Sequence, residues 1–381
     1  MKIAVPKETY PDERRVAIVP SAIGRLIKLG FQVAVEAGAG QGADYADEEY
    51  RDAGAIIAAL PSELYAGADV IFKVRAPMTE AVWGKSEIDL LPSHTLIIGF
   101  LEPLRRPELA QHLAEKNITA FALETIPRIS RAQGMDALSS QASAAGYKAV
   151  LIAAEALRKY LPMLTTAAGT IRPAKVLIIG AGVAGLQAIA TAKRLGAVVE
   201  AFDIRTAAKG EVESLGAKFI DVELGESGDA GGGYAKEISE QAKKREHEIL
   251  SAHVSAADVV ITTAAVPGKK APLLVTEDMV QKMKSGSVIV DMAVEQGGNV
   301  AGSAADQRIV KNGVTIIGPT NLPSRMAMHT SQLLARNIVT LFEHLVVDRQ
   351  IVIDLTDEIT QGACITYQGK IVHPQVKELI A

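Results

Sequence analysis

Residues 175–205, KVLIIGAGVAGLQAIATAKRLGAVVEAFDIR, narrow the possible folds more than any other stretch. A short apolar run at 176–179 leads into Gly180, Gly182 and Gly185. A helical pattern follows, then a second apolar run at 198–202 that stops on Asp203. Strand, glycine turn, helix and strand in that order make a βαβ unit. The first glycine permits the tight turn. The second leaves no side chain between the backbone and a pyrophosphate, and the third lets the helix pack closely on the strand. The helix N-terminus offers unpaired N–H groups and partial positive charge to an anion. Asp203, about 20 residues past the first glycine, is placed to accept hydrogen bonds from both hydroxyls of an adenosine ribose and to repel a 2′-phosphate. The pattern predicts a site for NAD(H) rather than NADP(H), walled by Gly180, Gly182, Val183, Ala184, Gly185, Asp203, Ile204 and Arg205. A glycine triplet by itself is a weak signal. The flanking strands and the terminal acid strengthen it.

Short apolar runs alternate with amphipathic segments along the remaining chain, which predicts α/β architecture with parallel sheets. Strands are expected at 2–5, 33–36, 70–74, 95–99 and 119–122, and later near 176, 198, 218, 259, 288 and 314. Helices are expected at 21–29, with Pro20-Ser21 as its cap and Gly30 as its stop, at 106–116, at 141–161 and at 330–346. Gln368-Gly369 suggests a hairpin near the C-terminal end. The expected fold class is α/β with two Rossmann-like, doubly wound parallel-sheet domains and a cleft between them. The first domain is discontinuous, 1–138 plus 330–381, and the NAD(H)-binding domain is 139–329. A cleft between domains is where such ligands commonly sit. The run at 223–234, ELGESGDAGGGY, reads equally as a closing lid or as an ordinary solvated loop.

The chain has 381 residues and a net charge of −4, so no basic field points to nucleic acid. Its single cysteine, Cys364, excludes an internal disulfide and a cysteine-based metal cluster. The opening residues turn charged too soon for a signal peptide, and no apolar run reaches the roughly 18 residues of a membrane span. The histidines are scattered without metal-ligand spacing and are expected mostly at the surface. The expectation is therefore a chain that does not itself insert into a membrane.

Over essentially its whole length the chain resembles the NAD(H)-binding alpha component of proton-translocating NAD(P)+ transhydrogenase, within the alanine dehydrogenase/transhydrogenase superfamily. The opening MKIAVPKE, the run Glu13-Arg14-Arg15-Val16-Ala17 and the run Glu36-Ala37-Gly38-Ala39-Gly40 are shared by both branches. The segment 127–147, PRISRAQGMDALSSQASAAGY, is similar to the transhydrogenase loop, as are 231–237 and 294–299. The resemblance implies that Arg128, Ile129, Ser130, Gln133, Asp136 and Ser139 act at the nicotinamide end. Arg128, Gln133, Asp136 and Ser139 would be the residues nearest the chemistry. Arg128 offers a planar fork for phosphate oxygens, and Gln133 can both donate and accept. The bland alternative is that these polar residues cap the following helix, Ser139 or Ser140 being the natural cap.

The same likeness implies that Gly233 and Tyr234 close over the cofactor and that Ala264 and Ala265, with Val183, line the adenine or ribose pocket. Met292 and Ala293 would face the nicotinamide side. It further implies a Si/Re-specific, proton-translocating oxidoreductase. Its expected partners are a second copy in a homodimer, a component carrying NADP(H), and a membrane-spanning component. The expected location is cytoplasmic, held peripherally at the inner (plasma) membrane through those partners. The first alternative is an NAD-dependent alanine dehydrogenase, for which Arg15 and Lys73 stand at matching positions. The run Phe100-Leu101-Glu102-Pro103 lacks the histidine that such an enzyme needs as proton shuttle. Arg15 and Lys73 therefore read as inherited scaffold, paired with nearby acids. The second alternative is a non-catalytic NAD(H)-binding module.

Overall fold

The computed structural model describes residues 1–78, 81–82, 85–221, 240–265 and 270–380. These divide into two compact units, 1–141 with 323–381 and 142–322. Both units are built on a parallel sheet, as an alternating strand and helix pattern requires.

In the first unit the sheet runs, edge to edge, Lys370–Ile371, Cys364–Tyr367, Thr119–Ala122, Leu96–Phe100, Val70–Arg75, Lys2–Val5, Gln32–Glu36 and Ile56–Ala58. The last six are parallel to one another and the C-terminal hairpin joins antiparallel. Counted by chain order the parallel strands lie 3-2-1-4-5-6, the doubly wound arrangement. Parallel strands covered on both faces read as continuous apolar runs. Val70–Arg75 follows that rule except for Lys73, which is fully buried, and the half-buried Arg75 at its end. The helix Ala327–His344 buries Ala327, Thr330, Ser331, Leu334, Ala335, Ile338, Leu341 and Phe342, the three- and four-residue spacing of one helix face. Phe342 meets Phe31 and Phe72 edge-to-face, with ring centroids 4.9 and 5.2 Å away.

In the second unit the order is Lys218–Phe219, Val198–Phe202, Lys175–Ile179, Val259–Thr262, Val288–Asp291, Val314–Ile317 and Arg308–Lys311. This is again 3-2-1-4-5-6, closed by one antiparallel edge strand. That edge strand departs from the all-parallel expectation. It pairs through Asn312 and Gly313, both at positive φ, an Asn-Gly hairpin turn whose residue types favour that conformation.

Three local expectations are corrected. The first helix, Pro20–Lys28, has Val19 as N-cap with no side-chain cap, and Pro20 occupies the first helical turn, where its missing N–H costs nothing. The helix expected at 141–161 is Ala137–Ala156. Its end frees the chain to bury Leu157 and Leu161 ahead of Pro162, and Lys159 to reach Asp258 at 2.6 Å. His373 is buried rather than exposed.

Candidate functional site

The glycine turn lies at the switch point of the second unit's sheet, where strand order reverses between Lys175–Ile179 and Val259–Thr262. Ligands of open α/β sheets bind at such crevices. Gly180 sits at φ +97°, and a Cβ there would lie 2.6 Å from the Thr263 hydroxyl oxygen. That hydroxyl donates to the Gly180 carbonyl at 3.0 Å and fixes the turn. A Cβ on Gly185 would lie 1.9 Å from the same carbonyl, so helix and strand touch as the motif requires. A Cβ on Gly182 would meet nothing within 4 Å. The turn is open on the side that a phosphate needs. Gly182 is the N-cap of the helix Val183–Arg194, and no side chain caps it. The first N–H groups of that helix are left for an anion.

Asp203 is tied down more thoroughly than the motif implies. Oδ2 accepts from the Ala181 N–H at 2.7 Å, and Oδ1 from the Arg205 N–H at 2.8 Å. The Arg205 guanidinium adds Nε to Oδ1 at 3.0 Å and Nη2 to Oδ2 at 2.9 Å. Val183 is exposed at the turn, Ala184 follows it on the helix, and Ile204 is half-buried. Ala264 is half-buried and Ala265 exposed just past the Val259–Thr262 strand. The Ala264 carbonyl accepts from Asn299 Nδ2 at 2.9 Å. Asn299 and Asp291 form a buried knot. Asp291 accepts from the Thr262 and Ser303 hydroxyls and from the N–H groups of Ala293, Asn299 and Val300. This knot sets the segment beside the turn. Thr263, Asp291 and Asn299 carry no motif of their own, and only the VEQGGN run hints at them. Met292 is half-buried and Ala293 buried beside the knot. Gly233 and Tyr234, with the rest of 222–239, lie outside the described residues.

The loop 128–139 belongs to the first unit. Its 3₁₀ turn Ser130–Met135 buries Ala132 and Met135 and leaves Arg128, Ser130 and Gln133 exposed, with Ile129 packed partly on the core. Asn337 holds the turn by donating to the Gly134 carbonyl at 2.9 Å. Asp136, not Ser139 or Ser140, caps the helix Ala137–Ala156. Its Oδ1 accepts from the Ser139 N–H at 2.8 Å and its Oδ2 from the Ser139 hydroxyl at 2.6 Å. Ser140 instead donates to Asn337 Oδ1 at 2.8 Å. Capping and a ligand role are compatible here. The Ser139 proton is committed to Asp136, so the pair presents only acceptor lone pairs outward. Gln133, Asp136 and Ser139 line an open depression of about 660 Å³ together with Arg25, Arg336 and Asn337.

Arg15 and Lys73 are engaged internally. Arg15 is 4% exposed and lies 2.6 Å from Glu13, with Nη1 donating to Gln141 Oε1 at 2.8 Å. Burial works to raise the Glu13 carboxyl. The Arg15 hydrogen bonds and charge, with the Arg75 charge, outweigh it and lower the carboxyl to about 2. Lys73 lies 2.5 Å from Glu87 and 3.5 Å from Glu8. Burial opposes its charge, and the two carboxylates still hold its pKa above the ordinary lysine value. Glu102 lies 3.6 Å from Arg75. Among the described residues no group of histidine, cysteine and acidic side chains could hold a metal.

Comparison with known proteins shows the family of the chain. The family model of the alanine dehydrogenase/PNT N-terminal domain matches residues 4–145, and that of the C-terminal domain matches 149–374. A protein of Rhodospirillum rubrum named as the first portion of NAD(P) transhydrogenase subunit alpha is 49% identical, with 98% of each chain covered. The alanine dehydrogenase of Bacillus subtilis is 32% identical, over 99% of this chain and 94% of that one. The crystal structure of transhydrogenase from Sinorhizobium meliloti superposes with a TM-score of 0.85 at 42% identity, over 98% of this chain and 99% of that one. With both domain models matched and identity sustained end to end, the chain belongs to the alanine dehydrogenase/PNT family.

Proposed function

We propose that this chain is the NAD(H)-binding component of a proton-translocating transhydrogenase. It binds NADH in its second unit and passes hydride directly to NADP+ carried by a partner subunit. The open face of Gly182 over an uncapped helix N-terminus, with Asp203 beside it, is the observation that carries this reading. The turn takes the pyrophosphate and Asp203 the adenosine ribose, with Val183, Ala264 and Ala265 against the adenosine. Arg128, Gln133, Asp136 and Ser139 act at the nicotinamide. The acceptor pair Asp136–Ser139 suits the carboxamide NH₂, and the Gln133 amide supplies the donor that its carbonyl needs.

The dihydronicotinamide itself supplies the hydride. Direct transfer between two such rings requires alignment and exclusion of water, not a general base. That fits a chain whose Arg15 and Lys73 are consumed by internal pairs and whose run at 100–103 contains no histidine. Those same features weigh against the alanine dehydrogenase reading. Proton translocation is assigned to a membrane-spanning partner, on which this chain docks as a homodimer at the cytoplasmic face. The name of the Rhodospirillum rubrum relative, a portion of one subunit, supports a multi-component assembly. No helix among the described residues is long and apolar enough to cross a membrane.

The test is to mix the purified chain with the NADP(H)-loaded partner component and follow hydride exchange from NADH by absorbance. Rapid exchange with the partner, and none from this chain alone, is expected. Production of NADH from alanine and NAD+ without any partner would instead support the dehydrogenase.

A further inference from the structure

A carboxylate offers about four lone-pair positions, and in Asp203 all four are filled. Ala181 N–H and Arg205 Nη2 take Oδ2, while the N–H and Nε of Arg205 take Oδ1. The Asp203 side chain is 7% exposed and that of Arg205 15%, so the pair is largely shielded from water. A ribose diol cannot reach this carboxylate until the guanidinium leaves it. A displaced guanidinium stays tethered two residues from the acid.

We infer that Arg205 is a cofactor-specificity residue whose action depends on Asp203. The acid confines the guanidinium and excludes a 2′-phosphate. Without the acid's charge, the same guanidinium becomes a bidentate receptor for that phosphate. The discrimination between NAD(H) and NADP(H) thus lies in the pair, not in the acid alone. This inference rests on the proposal that the second unit binds NAD(H).

The substitution must spare the turn, because Asp203 also anchors the Ala181 N–H. Asp203→Asn keeps an acceptor for that N–H, removes the charge and places an NH₂ donor where Oδ1 accepted from Arg205, which frees the guanidinium. NADH and NADPH binding are measured by equilibrium titration of nicotinamide fluorescence for the wild type, Asp203→Asn, Arg205→Ala and the double variant. Circular dichroism confirms that each is folded. Asp203→Asn is expected to bind NADPH ~10-fold or more tightly than the wild type does, the scale of one charge-assisted bidentate contact. The double variant should lose that gain. Arg205→Ala alone should bind NADPH as weakly as the wild type, since Asp203 still repels the phosphate. A gain that survives in the double variant, or no gain in a folded Asp203→Asn that still binds NADH, overturns the role of Arg205. Failure of the wild type to bind NADH overturns the underlying assignment of the site instead.

Discussion

Replacing Glu124 by Gln should stabilise the first unit at alkaline pH and do much less in acid. Glu124 directly follows the strand Thr119–Ala122 in the turn Leu123–Thr125 and begins the segment that leads to Arg128 and Gln133. Its Oε1 accepts from the Glu102 N–H, and its Oε2 is sealed from solvent with no hydrogen-bond partner. Burial raises the carboxyl most. Backbone N–H groups of Glu124, Glu102 and Leu101 work against it, and the Glu102 charge adds to the rise, leaving it at about 7 against an ordinary value of 4.5. A carboxyl raised on folding favours the folded state in its protonated form. That stability is fully present below about pH 4.5 and is lost as pH climbs through 7. The interval corresponds to about 3 kcal/mol at pH 8.5 and less than about 1 kcal/mol at pH 5. The amide keeps an acceptor for the Glu102 N–H and carries no charge. Any cost of its unpaired NH₂ is the same at both pH values. Hydrogen exchange at the Thr119–Ala122 amides, with intrinsic rates divided out, reads local and global opening of that strand. The variant's advantage over wild type should be greater at pH 8.5 than at pH 5 by about 2 kcal/mol or more. An equal difference at both pH values would refute a carboxyl that titrates near neutrality.

Gln133→Asn should slow hydride exchange with the partner while leaving NADH affinity nearly unchanged, measured by stopped-flow exchange and by titration; a large loss of NADH binding would instead place Gln133 on this chain's own cofactor. Glu13→Ala removes the partner of a buried guanidinium and should destabilise the first unit by about 3–5 kcal/mol in urea denaturation. Gly185→Ala puts a methyl 1.9 Å from the Gly180 carbonyl, so the turn must shift. NADH binding should fall by at least about tenfold in a protein that retains its circular dichroism spectrum, because the helix N–H groups no longer aim at the pyrophosphate.

The fold class is legible because its signals are local. Short apolar runs such as VLII and VVIT, bounded by turn residues, read as strands buried on both faces. A glycine triplet between two of them leaves one turn geometry. The same holds for the hairpin at Gln368-Gly369, where the positive φ of Gly369 follows from residue type and Gln368 is carried into a positive φ beside it. Asn312-Gly313 carries an equal turn signal, but the strand before it, RIVK, is an edge strand half exposed to solvent and lacks the apolar run that would mark it.

What stays hidden in the sequence depends on distance along the chain. The pairing of Arg15 with Glu13 is two residues away and is expected in kind. The Arg15 contact to Gln141 spans 126 residues and is not. Capping falls to Asp136 because the helix starts at Ala137 and leaves Ser139 and Ser140 inside its first turn, and the Ser140 hydroxyl goes instead to Asn337, 197 residues further on. Asp203 shows the limit most clearly. Its position after the second strand singles it out in the sequence as a candidate, and Arg205 is only two residues away. Yet whether that arginine points to solvent or folds back on the acid is a choice of rotamer, which the pattern does not encode. The consequence is chemical as well as structural. A carboxylate with free lone pairs would hold ribose at once, whereas one already saturated must exchange two guanidinium contacts for two hydroxyls. On the proposed assignment of the site, selectivity against a 2′-phosphate would rest on this one ion pair.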